Sequence, residues 1–230
     1  MAGRNIHGRI IADRLREFSP LVINEVGTAR AEALQNWLVP NTYGPRLAAT
    51  HDVPHFAGPE SKALLAECDF AINGGCGILK SSMLCIPNRG WLNGHPGLLP
   101  EYRGANPVQW ALANDGDVGA TLHLMDEGID TGPILIRQVM QWRGASTVDE
   151  LRLHVIELCA DLIATFLRRP EVYPPVAQVG GGEPYPVFPA DRLGILPLKL
   201  AQYAARQNRS ERPADSTAVT ARGPIQEKSA

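Results

Sequence analysis

Apolar residues near the start of the chain recur with a helical period. Ile6, Ile10, Ile11, Leu15 and Phe18 share one face, and Pro20 closes the run. Leu21-Val22-Ile23 then reads as a short strand, and Glu32 to Trp37 as a second helix ended by Pro40. Residues 41–60 read as loop around a short strand at Leu47-Ala48-Ala49. The pattern predicts a short helix over 61–67 and a strand over 69–73 that runs into Gly74-Gly75-Cys76-Gly77. A strand over 90–93 carries Asn93-Gly94-His95 at its carboxyl end, and Asn106-Pro107 opens a helix through Ala113. Residues 119–125 alternate as a strand (Ala120, Leu122 and Leu124 against Thr121, His123 and Met125), and residues 134–140 form another. Ser146 and Thr147 stand three residues before Asp149 and Glu150, the spacing of a capping box. They precede an apolar stripe of Val148, Leu151, Val155, Leu158, Leu162 and Phe166 that ends at Pro170.

This alternation of strands and helices predicts an α/β fold, its sheet parallel at first and more antiparallel later. Residues 1–170 read as one domain, and 171–207 as a Pro/Gly-rich extension packed on it, irregular and hairpin-like over 171–198. Residues 208–230 are polar, lack periodicity and read as a disordered tail. In open α/β sheets ligands collect at the carboxyl ends of strands. Asn73-Gly74-Gly75 and Asn93-Gly94-His95 both fall there.

Composition narrows the class. The chain has 230 residues, 44% of them hydrophobic and 20% charged, which suits a globular protein with an ample core. A net charge of −2 gives no reason to expect nucleic acid as the main partner. Cys68, Cys76, Cys85 and Cys159 have neither CxxC nor metal spacing and read as reduced thiols. No run is apolar and long enough to cross a membrane, and the start lacks the apolar core of a secretory signal, so a cytoplasmic location is expected.

An amide, an imidazole and a carboxylate can move an acyl unit onto an amine without a covalent enzyme intermediate. The amide donates to an oxyanion, the imidazole shuttles a proton, and the carboxylate orients it or takes a proton. Asn93, His95 and Asp130 supply these groups. The competing reading is a polar strand end at which Gly94 allows a bend. His51 and His55 are four residues apart, but Pro54 argues against a helix that would make them a metal pair. The loop at Asn73–Gly77 lacks the Lys-Ser/Thr of a nucleotide-triphosphate loop, and Cys76 has no adjacent base. His123 reads either as a support for the site or as a half-buried strand residue.

With those residues in view, the stretch from Asn93 to Gln138 resembles the 10-formyltetrahydrofolate-dependent formyltransferase family. That family includes enzymes acting on glycinamide ribonucleotide, on methionyl-tRNA and on nucleotide-linked amino sugars. The resemblance is carried by Asn93, His95, Gly97-Leu98-Leu99-Pro100, Tyr102-Arg103-Gly104, Gly119 with Thr121 and His123, and Asp126 to Gly132, and it covers residues 69–190. It implies a Rossmann-like formyltransferase fold, a mixed, mainly parallel sheet flanked by helices, with the catalytic domain in residues 1–170. It also implies catalysis by Asn93, His95 and Asp130 without a metal, by direct attack of the amine through a tetrahedral intermediate. Pterin recognition by main-chain groups maps to Gly77, Ile78 and Leu79 and to Asp126, Glu127, Gly128 and Ile129.

One departure stands out. The family begins with an apolar strand ahead of the first helix, whereas residues 1–8 contain no strand-like run. Loss of that central strand predicts a gap flanked by unpaired backbone groups, and it supports a competing reading as a truncated, non-catalytic folate-binding relative. Among amine substrates, the stretch after residue 200 is short for the added domain with which methionyl-tRNA enzymes grip tRNA. Tyr102-Arg103-Gly104 and Asn106-Pro107 are unusual for glycinamide ribonucleotide enzymes. These features, with the segment Gln178 to Tyr185, favour a nucleotide-linked amino sugar, and a homodimer is expected of that type.

Overall fold

The structure, a computed structural model, describes residues 6–25 and 50–209. The expected helix over 32–37 and strand over 47–49 lie outside these residues, as does the tail beyond residue 209.

The first helix, α1, spans Ile6–Arg14 and passes into a 3-10 turn at Arg16–Phe18. Its periodic apolar positions do what their spacing predicts, since Ile10, Ile11 and Leu15 are buried. Strand β1 (Val22–Glu25) pairs in parallel with β2 (Thr50–Val53). β2 falls in a stretch that reads as loop, because Thr50, His51 and Asp52 show no apolar alternation. Its pairing with β1 and the burial of Val53 specify it instead. Helix α2 (Pro59–Ala66) places Pro59 at its amino end, where proline fits, and so begins ahead of the expected 61.

Strand β3 (Phe70–Ile72), a short helix α3 (Ser81–Leu84), strand β4 (Gly90–His95), helix α4 (Pro107–Ala113), β5 (Gly119–Leu124) and β6 (Ile134–Val139) follow. They form a sheet of order β3-β4-β5-β6. β3 and β4 are parallel, while β4–β5 and β5–β6 are antiparallel. Parallel pairs thus come first and antiparallel pairs later, as the order of elements predicts, in a mixed sheet flanked by helices.

Helix α5 (Val148–Arg168) starts with the expected cap. The Glu150 N–H donates to Thr147 Oγ1 at 3.1 Å, and the Ser146 N–H donates to Glu150 Oε2 at 2.7 Å. Its stripe, including Leu151, Val155, Cys159, Leu162 and Phe166, is buried against the sheet. Two 3-10 turns, Pro170–Val172 and Ala190–Ile195, lead to a last helix, α6 (Leu196–Arg209). The stretch expected to be irregular, 171–198, overlaps α6 only in its last three residues, and the helix fills the remainder of the 171–207 extension. Leu196, Leu200 and Tyr203 bury at helical spacing, but the prolines on either side of Gly180–Gly182 mask that signal.

Two apolar clusters cover the two faces of the strands. Val22 and Leu92 join one, with α1 and α5, while Ile23, Ala71 and Trp91 join the other. Because β1 and β4 alternate between the same two clusters, the β1–β2 pair lies in the same layer as the four-stranded sheet. Among the described residues no backbone hydrogen bond joins β1 to β3, so the layer is divided into two sheets.

Candidate active site

Period-2 geometry builds the site. Asn93 and His95 lie on one face of β4, and in the antiparallel register Asn93 faces His123 and His95 faces Thr121 on β5. Four polar side chains therefore share one face near the carboxyl end of β4. Gly94 between them has a different purpose from the bend that its sequence context suggests, because the strand runs on through His95. A Cβ there would lie 2.9 Å from Cys159 Cβ and 3.2 Å from Ile163 Cδ1, so Gly94 lets α5 close onto the sheet.

The loop between β5 and β6 brings in Asp130. Asp126 ties the loop by accepting from the Gly128 N–H (3.1 Å) and the Thr131 hydroxyl (2.6 Å). Asp130 has φ 54°, a left-handed conformation that costs a non-glycine residue energy and is held here by its surroundings. Gly132 then crosses so close to β5 that an added Cβ would lie 1.8 Å from the Leu124 carbonyl oxygen. We expect Gly132→Ala to displace this loop, lowering the melting temperature measurably and turnover with it. A thermal melt and a rate assay check both.

The Asp130 carboxylate sits at the centre of the constellation. Oδ2 accepts from the Gly104 N–H at 2.9 Å and lies 3.5 Å from His95 Nδ1. Oδ1 accepts from Asn93 Nδ2 at 3.3 Å and lies 3.6 Å from His123 Nε2. The structure thus brings Asn93, His95 and Asp130 together and adds His123 and the Gly104 N–H. The Tyr102-Arg103-Gly104 motif was legible in the sequence, but a main-chain donor carries no side-chain signal.

Hydrogen-bond partners fix the tautomers. His95 Nε2 lies 2.7 Å from the Tyr102 carbonyl, which can only accept, so Nε2 carries the proton and Nδ1 of the neutral ring is a lone pair facing Asp130. His123 Nδ1 likewise donates to the Leu124 carbonyl at 2.8 Å, leaving Nε2 to accept from Asn93 Nδ2 at 3.0 Å. Both Asn93 N–H groups are therefore engaged, one with His123 and one with Asp130.

Burial pushes His95 below the ordinary imidazole range, against the raising effects of Asp130 and the Tyr102 carbonyl. Burial acts on Asp130 in the raising direction, but the neighbouring His123 and His95 and the Gly104 N–H donor outweigh it and bring Asp130 down to about 2. Since His95 is neutral near pH 7, hydrogen bonds rather than an imidazolium hold the carboxylate there. A third histidine, missed in the sequence, is His7 on α1. Burial first, then the neighbouring His95, lowers it to about 4, while a hydrogen bond to the Gly94 backbone opposes the shift.

The two loops assigned to a pterin face each other, since the Ser81 hydroxyl donates to Glu127 Oε1. Among the described residues no hydrogen bond engages the main-chain groups of Gly77, Ile78 and Leu79 or those of Glu127 and Ile129. Ile78 and Ile129 are exposed beside them. Unpaired amides flanked by apolar side chains suit a flat heterocycle with a hydrogen-bonding edge.

The fold and this grouping of amide, imidazole and carboxylate define an α/β protein with the groups for proton transfer and oxyanion stabilisation at one strand end, and comparison with known proteins shows what it resembles. Residues 60–165 match the family model described as formyl transferase. A methionyl-tRNA formyltransferase of Deinococcus radiodurans is 44% identical over 102 residues, covering 44% of this chain and 32% of the relative. The chain spans about a third of the length of the curated relatives it matches. A solved sugar N-formyltransferase from a Shewanella species superposes with a TM-score of 0.57 at 18% identity, over 84% of this chain and 82% of that one. Glycinamide ribonucleotide transformylase 1 of Symbiobacterium toebii gives 0.52 at 22% identity, over 73% and 83%. At these identities the structural likenesses speak for the fold.

Proposed function

We propose that this chain transfers a formyl group from 10-formyltetrahydrofolate to a primary amine, with Asn93, His95 and Asp130 as catalytic residues. The observation that carries the reading is an ionised Asp130 held among Asn93, His95 and His123 at the carboxyl end of β4. The formyl donor supplies an electrophilic carbon whose oxygen gains negative charge as the amine attacks.

His95 Nδ1 and Asp130 Oδ2 are two acceptors 3.5 Å apart with no proton between them, placed to receive the proton that the attacking amine loses. Once it arrives, His95 is an imidazolium paired with Asp130 and can pass the proton to the departing folate nitrogen. Asn93 donates to the developing oxyanion by releasing its 3.3 Å contact to Asp130, the longer of its two. The second Asn93 N–H stays on His123, which keeps the amide plane oriented. Gly77, Ile78 and Leu79, with Asp126, Glu127, Gly128 and Ile129, hold the pterin by main-chain groups.

For the amine we favour a nucleotide-linked amino sugar. The net charge of −2 gives little attraction for a polyanionic tRNA, and the chain's fold superposes on a sugar enzyme over most of its length. A second reading, methionyl-tRNA, is favoured by the 44% identity over 102 residues. We expect incubation with 10-formyltetrahydrofolate and a panel of nucleotide-linked amino sugars, glycinamide ribonucleotide and methionyl-tRNA to give formylated product with a sugar. Formylation of methionyl-tRNA alone would reverse that choice.

A further inference from the structure

Gln178, in the Pro/Gly-rich extension, is not among the residues assigned to catalysis or to the pterin, yet its side chain ends on the catalytic loop. Its Nε2 donates to the Asp130 carbonyl at 2.9 Å and to the Gly132 carbonyl at 2.7 Å. Facing two acceptors, that end of the side chain must be the NH₂, which fixes the amide's orientation. The opposite atom, Oε1, is buried and has no partner among the described residues. Two residues earlier Val176 exchanges both backbone hydrogen bonds with Ile134 at 2.8 Å, so Gln178 is delivered from a paired backbone.

Asp130 needs such a tie. Its carboxylate must meet Asn93, His95 and the Gly104 N–H at once, while its backbone holds a left-handed conformation next to a glycine crossing on Leu124. The loop's own tie, from Asp126, reaches Gly128 and Thr131 but not the Asp130 carbonyl. Gln178 closes the far side by bridging the carbonyls on either side of Thr131.

We propose that Gln178 is a positioning residue that holds Asp130 in register with His95, so that the extension contributes to the rate and not only to stability. The proposal rests on the formyl-transfer reading for its kinetic part, but its structural part can be read without turnover. The test compares Gln178→Leu and the milder Gln178→Asn with Trp110→Phe. The last change removes another tie of the same extension, the Trp110 Nε1 bond to the Pro186 carbonyl, which involves neither Asp130 nor Gly132.

Purified proteins are assayed for kcat and KM, and the ring resonances of His95 and His123 are followed by NMR through a pH titration. Gln178→Leu is expected to lower kcat by about tenfold to a hundredfold, the scale of a small misplacement of a reacting group, with KM for the donor little changed. Gln178→Asn, too short to reach both carbonyls, should fall between it and the wild type. Both should alter the histidine titrations, and Trp110→Phe should leave kcat and the titrations at wild-type values. Equal losses in Gln178→Leu and Trp110→Phe would overturn the proposal, as would wild-type kcat and titrations in a folded Gln178→Leu protein. Should the wild type turn over no amine, the formyl-transfer reading fails, and the NMR comparison alone decides for or against the tie.

Discussion

His95→Ala is expected to lower kcat by roughly 10²- to 10⁴-fold, the range typical of a positioned proton-transfer group, while the protein stays folded and donor binding persists. The expectation follows from the division of labour at the site. The pterin is assigned to main-chain groups of residues 77–79 and 126–129, whereas the partners of His95 are Tyr102, Asp130 and His123. His95 is set instead by the Tyr102 carbonyl at 2.7 Å and faces Asp130 at 3.5 Å, so its removal takes away the acceptor for the amine's proton. The signature is a fall in kcat with little change in donor KM. Because burial keeps His95 below the ordinary imidazole range, wild-type turnover should hold to pH values lower than an exposed histidine would allow. Asn93→Ala should cost about 10²–10³-fold, the loss typical of one oxyanion donor.

Asp130→Asn is expected to reduce kcat to a similar degree and to change the acid stability in a defined window. Asp130 lies near 2 in the folded protein against an ordinary 3.8, so its ionised form stabilises the fold above the ordinary value. That stabilisation, roughly 2 kcal/mol at the conversion of 1.36 kcal/mol per unit, is lost as pH falls from about 4 to about 2. His7 and His95, both lowered, give a separate loss at higher pH. The unfolded chain takes up protons below 6.5 before the folded one does, and for His7 that window extends down to about 4. Melting temperatures measured across this range should show both losses in the wild type. The variant should keep the upper loss and lack the lower one.

Much of this was legible in the sequence because the motifs lie on strands whose period is 2. Asn93 and His95, two apart, must share a face, and Thr121 with His123 repeats the spacing on the strand that pairs with it. Asp130 could be placed near them because the loop that carries it connects β5 to β6. The rest depended on contacts between distant residues. His7 on α1, the Gly104 N–H and the Gln178 amide come from segments whose local pattern says nothing of β4. β2 went unread for the same reason, since its pairing with β1, not its own residues, makes it a strand.

The central claim is that a formyl group moves directly to an amine at Asn93, His95 and Asp130. The most direct measurement is the mass of an amino-sugar nucleotide after incubation with 10-formyltetrahydrofolate and the wild-type or His95→Ala protein. The account predicts one added formyl group with the wild type, at a rate the variant reduces by at least about a hundredfold. Equal rates of formyl addition with the two proteins would contradict it.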